Sequence, residues 1–90
     1  MSQTPLPDVT IVSRAGCMWC TKIKAFLGSR GIKYDEIMLH PSAAAFTSQR
    51  DYWFSRTGHR SFPIVLVDGD CIGGHDEGVE YFRQLFARWA

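Results

Sequence analysis

Apolar and polar positions recur with two different periods in the first half of the chain, and each period predicts its own kind of element. The β-branched run DVTIVS (8–13) predicts a strand, and KYDEIML (33–39) predicts a second one. Residues 17–30 predict a helix that ends before Gly31, with apolar residues at helical spacing: Cys20, Ile23 and Leu27. Two strands joined by a helix form a βαβ unit, so we expect these strands to be parallel.

The second half of the chain predicts another helix and a hairpin. Ser42 is a candidate cap for a helix over about residues 43–56. The segment FPIVLVDGDCI (62–72) predicts two short strands, because Asp68-Gly69 between two apolar runs is typical of a hairpin turn.

Apolar residues spaced three and four apart predict a final helix from Asp76 onward: Val79, Phe82, Phe86 and Trp89. The resulting order, β-α-β-α-β-β-α, is that of the thioredoxin fold. This α/β fold has a four-stranded mixed sheet, in the order 2-1-3-4, flanked by three helices. At 90 residues the chain is expected to form one domain (1–90), with residues 1–7 as a loose N-terminal leader.

The composition excludes several classes of function. Ten basic and nine acidic residues give a formal net charge of +1, and no basic run indicates binding to nucleic acid or to a membrane surface. No apolar run approaches the roughly 20 residues of a membrane span, and no secretory signal is expected. Three cysteines are too few for a secreted disulfide scaffold, so the expected compartment is the reducing cytoplasm.

Two cysteines three positions apart, Cys17 and Cys20, follow the first predicted strand in the segment SRAGCMWCTK (13–22). Proteins use this spacing in zinc sites, in structural disulfides and in thiol–disulfide exchange. A zinc ligand set can be written by adding Cys71 and His75. Zinc sites place such a pair on tight turns, however, whereas this pair begins an apolar-striped helix. A passive disulfide is not expected in a reducing compartment.

The start of a helix favours the redox interpretation. Cys17 is at or just before the first turn, where unpaired backbone N–H groups and the helix dipole favour an anion. Cys20 is one turn later on the same face and begins the apolar stripe, so Cys17 is the candidate nucleophile and Cys20 its partner. Arg14 is a nearby cation, and the apolar pair Met18-Trp19, expected to be exposed, indicates a surface that faces a partner.

Three separated motifs make the chain resemble the glutaredoxin family over nearly its whole length. CMWC (17–20) stands where the family has its dithiol motif, with Arg14 as the basic residue three positions before it. SFP (61–63) is similar to the family's Thr-Val-Pro-like tripeptide, and IGGHDE (72–77) is similar to its Gly-Gly-x-Asp element. Two features depart from the family pattern: Phe62 replaces a small β-branched residue, and Met-Trp replaces the common Pro-Tyr between the cysteines.

The resemblance implies a glutathione-dependent thiol–disulfide oxidoreductase of the dithiol type, with glutathione as the reductant and no metal. In such an enzyme Cys17 attacks and Cys20 resolves the mixed disulfide. The resemblance also implies that Pro63 is a cis-proline facing the dithiol, and that His59 and Arg60 are candidates to meet the glycyl carboxylate of glutathione. The implied binding residues come from three motifs: Arg14, Met18 and Trp19; Ser61, Phe62 and Pro63; and Gly74, His75 and Asp76.

The implied partners are glutathione and protein disulfides, with ribonucleotide reductase as a frequent client of the family, and the chain is expected to be a monomer. Two alternatives stay open at this point. One is an electron donor to ribonucleotide reductase that is recycled by thioredoxin reductase. With methionine directly after Cys17, the cysteine motif also resembles the motif of that class. The other is a non-catalytic zinc- or iron–sulfur-binding module that uses the same cysteines.

Overall fold

A computed structural model describes residues 7–89, and its helices and strands follow the predicted order. The elements are β1 (Val9–Arg14), α1 (Met18–Ser29), β2 (Asp35–Leu39), α2 (Phe46–Thr57), β3 (Ile64–Val67), β4 (Asp70–Gly73) and α3 (His75–Trp89). Residues 1–6 of the predicted leader and the side chains of Arg88 and Trp89 lie outside the described part. Among the described residues, no helix is long and apolar enough to cross a membrane.

The four strands form one mixed sheet with the order β2-β1-β3-β4. Strand β1 runs parallel to β2, with Val12 opposite Ile37, and antiparallel to β3, with Val12 opposite Ile64. Strands β3 and β4 are antiparallel and joined at Asp68-Gly69, where both residues have positive φ (51° and 87°), as a two-residue hairpin turn requires. The predicted thioredoxin-fold topology is therefore confirmed, including its parallel βαβ unit.

Apolar side chains cover both faces of this sheet and form two clusters. On one face, α1 and α3 pack against the strands through buried residues that include Ile23 and Phe82. On the other face, α2 contributes the half-buried rings of Phe46, Trp53 and Phe54 to a smaller cluster. The central strands β1 and β3 are covered on both sides, so the loops at their ends are held in fixed positions.

The second helix begins three residues later than the sequence predicts. It starts at Phe46, and Ala45 at its N-cap makes no side-chain hydrogen bond, so the expected cap by Ser42 is wrong. Residues 40–45 form turns instead, one of them closed by a hydrogen bond from the Phe46 N–H to the Ala43 carbonyl (3.1 Å). Phe46 packs against the smaller cluster, whereas the alanines before it are exposed. Helices in proteins gain most of their stability from packing, so this helix begins where packing begins.

Candidate active site

Cys17 lies at the N-cap of α1, directly after the loop that leaves β1. The loop turns at Gly16, whose φ of 81° is a left-handed conformation that favours glycine. The Cys17 sulfur accepts a hydrogen bond from the backbone N–H of Cys20 (3.2 Å), as the side chain of an N-cap residue does. A sulfur that receives an N–H at the positive end of a helix dipole is in an environment that stabilises negative charge.

Cys20 has the opposite environment. Its side chain is only 1% exposed and belongs to the buried face of α1. The pKa of Cys20 is raised to about 11, chiefly by burial and then by its hydrogen bond with Cys17. At neutral pH Cys20 is therefore a neutral thiol, and the half-buried Cys17 is the sulfur that an incoming disulfide can reach.

The loop before β3 faces this pair of cysteines. The Phe62–Pro63 peptide bond is cis, as the resemblance implied. The Cys17 thiol donates a long hydrogen bond to the Phe62 carbonyl (3.9 Å). The Phe62 ring packs against Phe54 of α2, with 5.3 Å between the ring centroids. The backbone of Phe62 thus faces the candidate nucleophile, while its ring is held by the aromatic residues of the smaller cluster.

A groove beside Cys17 ends at the start of α3. We call it the helix-end groove. In this groove the ring centroid of Trp19 lies 4.9 Å from that of His75, and Nδ1 of His75 lies 2.8 Å from Oδ1 of Asp76. The groove is lined by residues from three distant segments: Trp19; His59, Ser61 and Phe62; and Gly74, His75, Asp76 and Glu77. Predicted binding residues from all three motifs therefore meet in one place.

A second groove, the arginine groove, opens toward α2. Its lining consists of Arg14, Cys17, Phe46, Arg50, Phe54, Arg60, Ser61 and Phe62. Arg14 is a predicted binding residue, whereas the sequence does not single out Arg50. A wider depression at the opposite end of the sheet, around Asp8 and Tyr34, contains no cysteine. The position of the cysteine pair, rather than the size of a cavity, therefore locates the candidate site.

The two residues between the cysteines point outward. Met18 is 60% exposed and Trp19 is 46% exposed, as the sequence indicates. The Lys22 ammonium lies 4.4 Å from the centroid of the Trp19 ring, a cation–π contact. Trp19 lines the helix-end groove, whereas Met18 lines neither groove. Of these two predicted binding residues, only Trp19 therefore lies in a groove.

A capping interaction closes the start of α3. The Gly74 N–H donates to Oε1 of Glu77 (2.8 Å), and this hydrogen bond lowers the pKa of the Glu77 carboxyl. Gly73 has a φ of 124°, and a Cβ there would lie 2.7 Å from Cγ of Glu77, so the cap requires glycine at this position. Because the Gly74 N–H is already bonded to the Glu77 carboxylate, an anion at this helix start would bind the first-turn N–H groups of His75 and Asp76.

Replacing Glu77 by alanine is expected to lower the free energy of unfolding by about 0.5–1 kcal/mol at neutral pH, because an exposed cap bond is lost. The folded-state pKa of Glu77 is lowered, so this stabilisation is present above the unfolded pKa and is lost as the pH falls through the folded pKa. Urea unfolding at neutral pH and at about pH 3 should show the difference from wild type shrinking in acid. Glu80→Ala, one turn away, is the control, and a Glu77 effect that is independent of pH would contradict the assignment.

The third cysteine does not join the site. Cys71 lies in β4, half-buried against the smaller cluster on the α2 face of the sheet. Within residues 7–89, no group of three or more His, Cys, Asp or Glu side chains is arranged to hold a metal ion. The ligand set written from the sequence, which needs Cys71 and His75 beside the Cys17–Cys20 pair, is therefore not assembled in the described part of the chain.

Sequence reasoning also misses Ser13. Its side chain is fully buried on β1 and has no well-formed hydrogen bond to any described residue. Its hydroxyl nevertheless lies close enough to the Cys20 thiol to oppose, in part, the rise in the pKa of Cys20 that burial causes. A single serine after a β-branched run carries no signal in the sequence, because only the packing of α1 on β1 places it beside Cys20.

Known proteins share this arrangement of elements. The glutaredoxin family model matches residues 9–72. The chain is 29% identical to Glutaredoxin 3 of Escherichia coli (strain K12) over 72 residues, which are 80% of this chain and 82% of the relative. It is 29% identical to Glutaredoxin 1 of Rickettsia bellii over 77 residues, 86% of this chain and 79% of the relative. The crystal structure of a buckwheat glutaredoxin–glutathione complex is similar with a TM-score of 0.76 and 26% identity, covering 87% of this chain and 70% of that one.

Proposed function

Because this chain belongs to the glutaredoxin family, we propose that it is a dithiol glutaredoxin, which uses glutathione to reduce protein disulfides and glutathione mixed disulfides. The observation that carries the proposal is the contrast between the two cysteines. Cys17 is accessible and accepts an N–H at the helix start, whereas Cys20 is buried and protonated one turn behind it. The pair thus offers one sulfur for attack and a second, within reach, for the following step.

In the proposed reaction, the Cys17 thiolate attacks one sulfur of a substrate disulfide. An S–S bond forms between Cys17 and that sulfur, the substrate S–S bond breaks, and the departing thiolate takes up a proton. Cys20 then loses its proton and attacks the Cys17 sulfur, which releases the second substrate thiol and leaves a Cys17–Cys20 disulfide. Two glutathione molecules restore the dithiol and become glutathione disulfide, so two electrons pass from glutathione to the substrate.

A glutathione mixed disulfide follows a shorter route. Cys17 attacks the glutathione sulfur, and the substrate leaves as a thiol. A second glutathione then attacks the Cys17–glutathione disulfide, which frees Cys17 and forms glutathione disulfide. Because Cys20 takes no part in these steps, this route depends on one cysteine only.

Glutathione lies across both grooves in this proposal, in the orientation that the charges favour. Its γ-glutamyl carboxylate binds the first-turn N–H groups at His75 and Asp76, and the Asp76 carboxylate accepts a hydrogen bond from its ammonium group. Its cysteinyl backbone pairs with Phe62, and Arg14 binds its glycyl carboxylate. The similar buckwheat glutaredoxin, whose crystal structure is a complex with glutathione, supports the proposal that this chain uses glutathione.

A second candidate function is that of an electron donor to ribonucleotide reductase, recycled by thioredoxin reductase. The exposed Met18-Trp19 pair favours it, because such a pair offers an apolar contact to a protein partner.

The choice of reductant tests the proposed function. Turnover of a disulfide substrate is measured with glutathione plus glutathione reductase, and separately with thioredoxin reductase alone. We expect the glutathione system to be faster by at least about tenfold, because the helix-end groove offers sites for both charged groups of the γ-glutamyl end. The reverse ranking would assign the chain to the second candidate.

We further propose that residues 1–90 act as one domain, as a monomer in a reducing cytoplasm. Three cysteines are too few for the disulfide framework of a small secreted domain, which supports a reducing compartment.

A further inference from the structure

The arginine groove is more positive than the protein as a whole. Three arginines line it, Arg14, Arg50 and Arg60, and no acidic residue does, although the net charge of the chain is only +1. Among residues 7–89, no carboxylate lies within ion-pair distance of Arg14 or Arg60. Arg50 pairs with its exposed neighbour Asp51 (3.1 Å), an interaction that is weak in water. The groove therefore presents positive charge that the chain itself hardly neutralises.

The helix-end groove has a different character. Its titratable lining residues are Asp76, Glu77, His59 and His75, and neither lysine nor arginine lines it. The two grooves share Ser61 and Phe62, and Cys17 lines the arginine groove beside them. A peptide that is attached to Cys17 and extended along Phe62 therefore has one end near carboxylates and the other near guanidinium groups.

Glutathione uses only part of the arginine groove. It offers a single carboxylate at its glycyl end, and one guanidinium can bind a carboxylate through two parallel hydrogen bonds. Three guanidinium groups exceed that need. The rings of Phe46 and Phe54 line the same groove and give an apolar wall for side chains that glutathione does not possess. Both features fit a larger substrate that carries more than one negative charge.

We propose that the arginine groove docks protein disulfides in which acidic residues follow the attacked cysteine. The direction rests on the proposed function, because a γ-glutamyl end at α3 places the C-terminal side of the cysteine toward the arginine groove. Each extended residue spans about 3.4 Å, so aspartate or glutamate within the few residues after the cysteine lies along the arginine groove, which Cys17 also lines. The same acids placed before the cysteine lie toward a groove whose lining includes two acidic residues and no lysine or arginine, so they gain no comparable attraction.

Symmetric peptide disulfides test this docking site, since either sulfur then carries the same peptide. Each peptide has one cysteine, and the four versions place acids after it, acids before it, lysines after it, or alanines on both sides. The Cys20→Ser protein stops the reaction after the first step, in which a Cys17–peptide disulfide forms and one peptide leaves as a thiol. Each rate constant is divided by that of β-mercaptoethanol attacking the same peptide, which removes differences in intrinsic reactivity.

The ratio of interest is the normalised rate constant with acids after the cysteine divided by that with acids before it. We expect this ratio to be about ten at low ionic strength and to fall toward one in about 1 M salt. The lysine peptide should react more slowly than the alanine peptide. Arg50→Gln should lower the ratio at least about threefold. Arg83→Gln removes the same charge from an exposed position on α3 and should leave the ratio unchanged.

Equal rates for the two acidic peptides, a preference for acids before the cysteine, or a ratio that survives both salt and Arg50→Gln would overturn the proposal. These rates involve no glutathione turnover. If the protein shows no turnover with glutathione and its reductase but still prefers acids after the cysteine, the proposed reductant is wrong and the proposed docking site stands.

Discussion

Replacing Cys17 by serine is expected to lower the turnover of every disulfide substrate by at least about a thousandfold. The attacking species is a thiolate, and a serine hydroxyl is neither ionised at neutral pH nor an effective nucleophile toward sulfur. Serine is also a preferred N-cap residue, so its oxygen can keep the hydrogen bond from the Cys20 N–H. The variant should therefore lose activity because it lacks the nucleophile, while it keeps its fold. Turnover of a glutathione mixed disulfide measures this loss of activity.

The matched control for this variant is Cys71→Ser. It makes the same change at a half-buried cysteine that lies in β4, outside both steps of the reaction. Its turnover should stay within about twofold of wild type, and urea unfolding of both variants separates chemistry from stability. If Cys17→Ser kept a tenth or more of the activity while Cys71→Ser lost it, Cys17 would not be the nucleophile.

Replacing Cys20 by serine is expected to separate the two classes of substrate. Glutathione mixed disulfides should still turn over within about threefold of wild type, because a second glutathione releases Cys17 on that route. Reduction of a protein disulfide should fall by at least about a hundredfold, because the mixed disulfide on Cys17 no longer has a resolving thiol one turn away. Parallel assays with one substrate of each class measure the split.

Mass spectrometry of the protein after a single turnover provides the control for this split. The Cys20→Ser variant should accumulate the substrate on Cys17, whereas wild type should release it and show a Cys17–Cys20 disulfide. An equal loss of turnover on both substrate classes would contradict the assignment of Cys20 as the resolving cysteine. Such a loss would be explained by a general defect, because the variant buries a serine hydroxyl in place of the thiol.

Most of the fold can be predicted from the sequence, because the signals that specify it are local. The β-branched run before Gly16, the striped helix and the Asp68-Gly69 turn each identify an element from a few neighbouring residues. The start of α2 is different. Ser42 is a good cap in isolation, but the helix begins at Phe46 because that ring is the first to reach the smaller cluster. Tertiary packing decides that boundary, and no local pattern contains it.

The candidate site divides in the same way. Cys17 and Cys20 are visible in the sequence because their spacing and their place at a helix start are local features. Arg50 and Ser13 are not visible, since each becomes part of the site only through the packing of its element against another. Glu77 lies within a quoted motif, yet its role as the acceptor of the Gly74 N–H depends on the geometry of the first turn of α3. Long-range placement is what the sequence alone does not supply.

The roles of Cys17 as nucleophile and Cys20 as resolving cysteine are tested most directly by a single comparison of wild type, Cys17→Ser and Cys20→Ser. Each protein is assayed on one glutathione mixed disulfide and one protein disulfide, with glutathione and its reductase as the electron source. We expect Cys17→Ser to be inactive on both substrates and Cys20→Ser to be active only on the mixed disulfide. Activity of Cys17→Ser on either substrate, or undiminished reduction of the protein disulfide by Cys20→Ser, would contradict these roles.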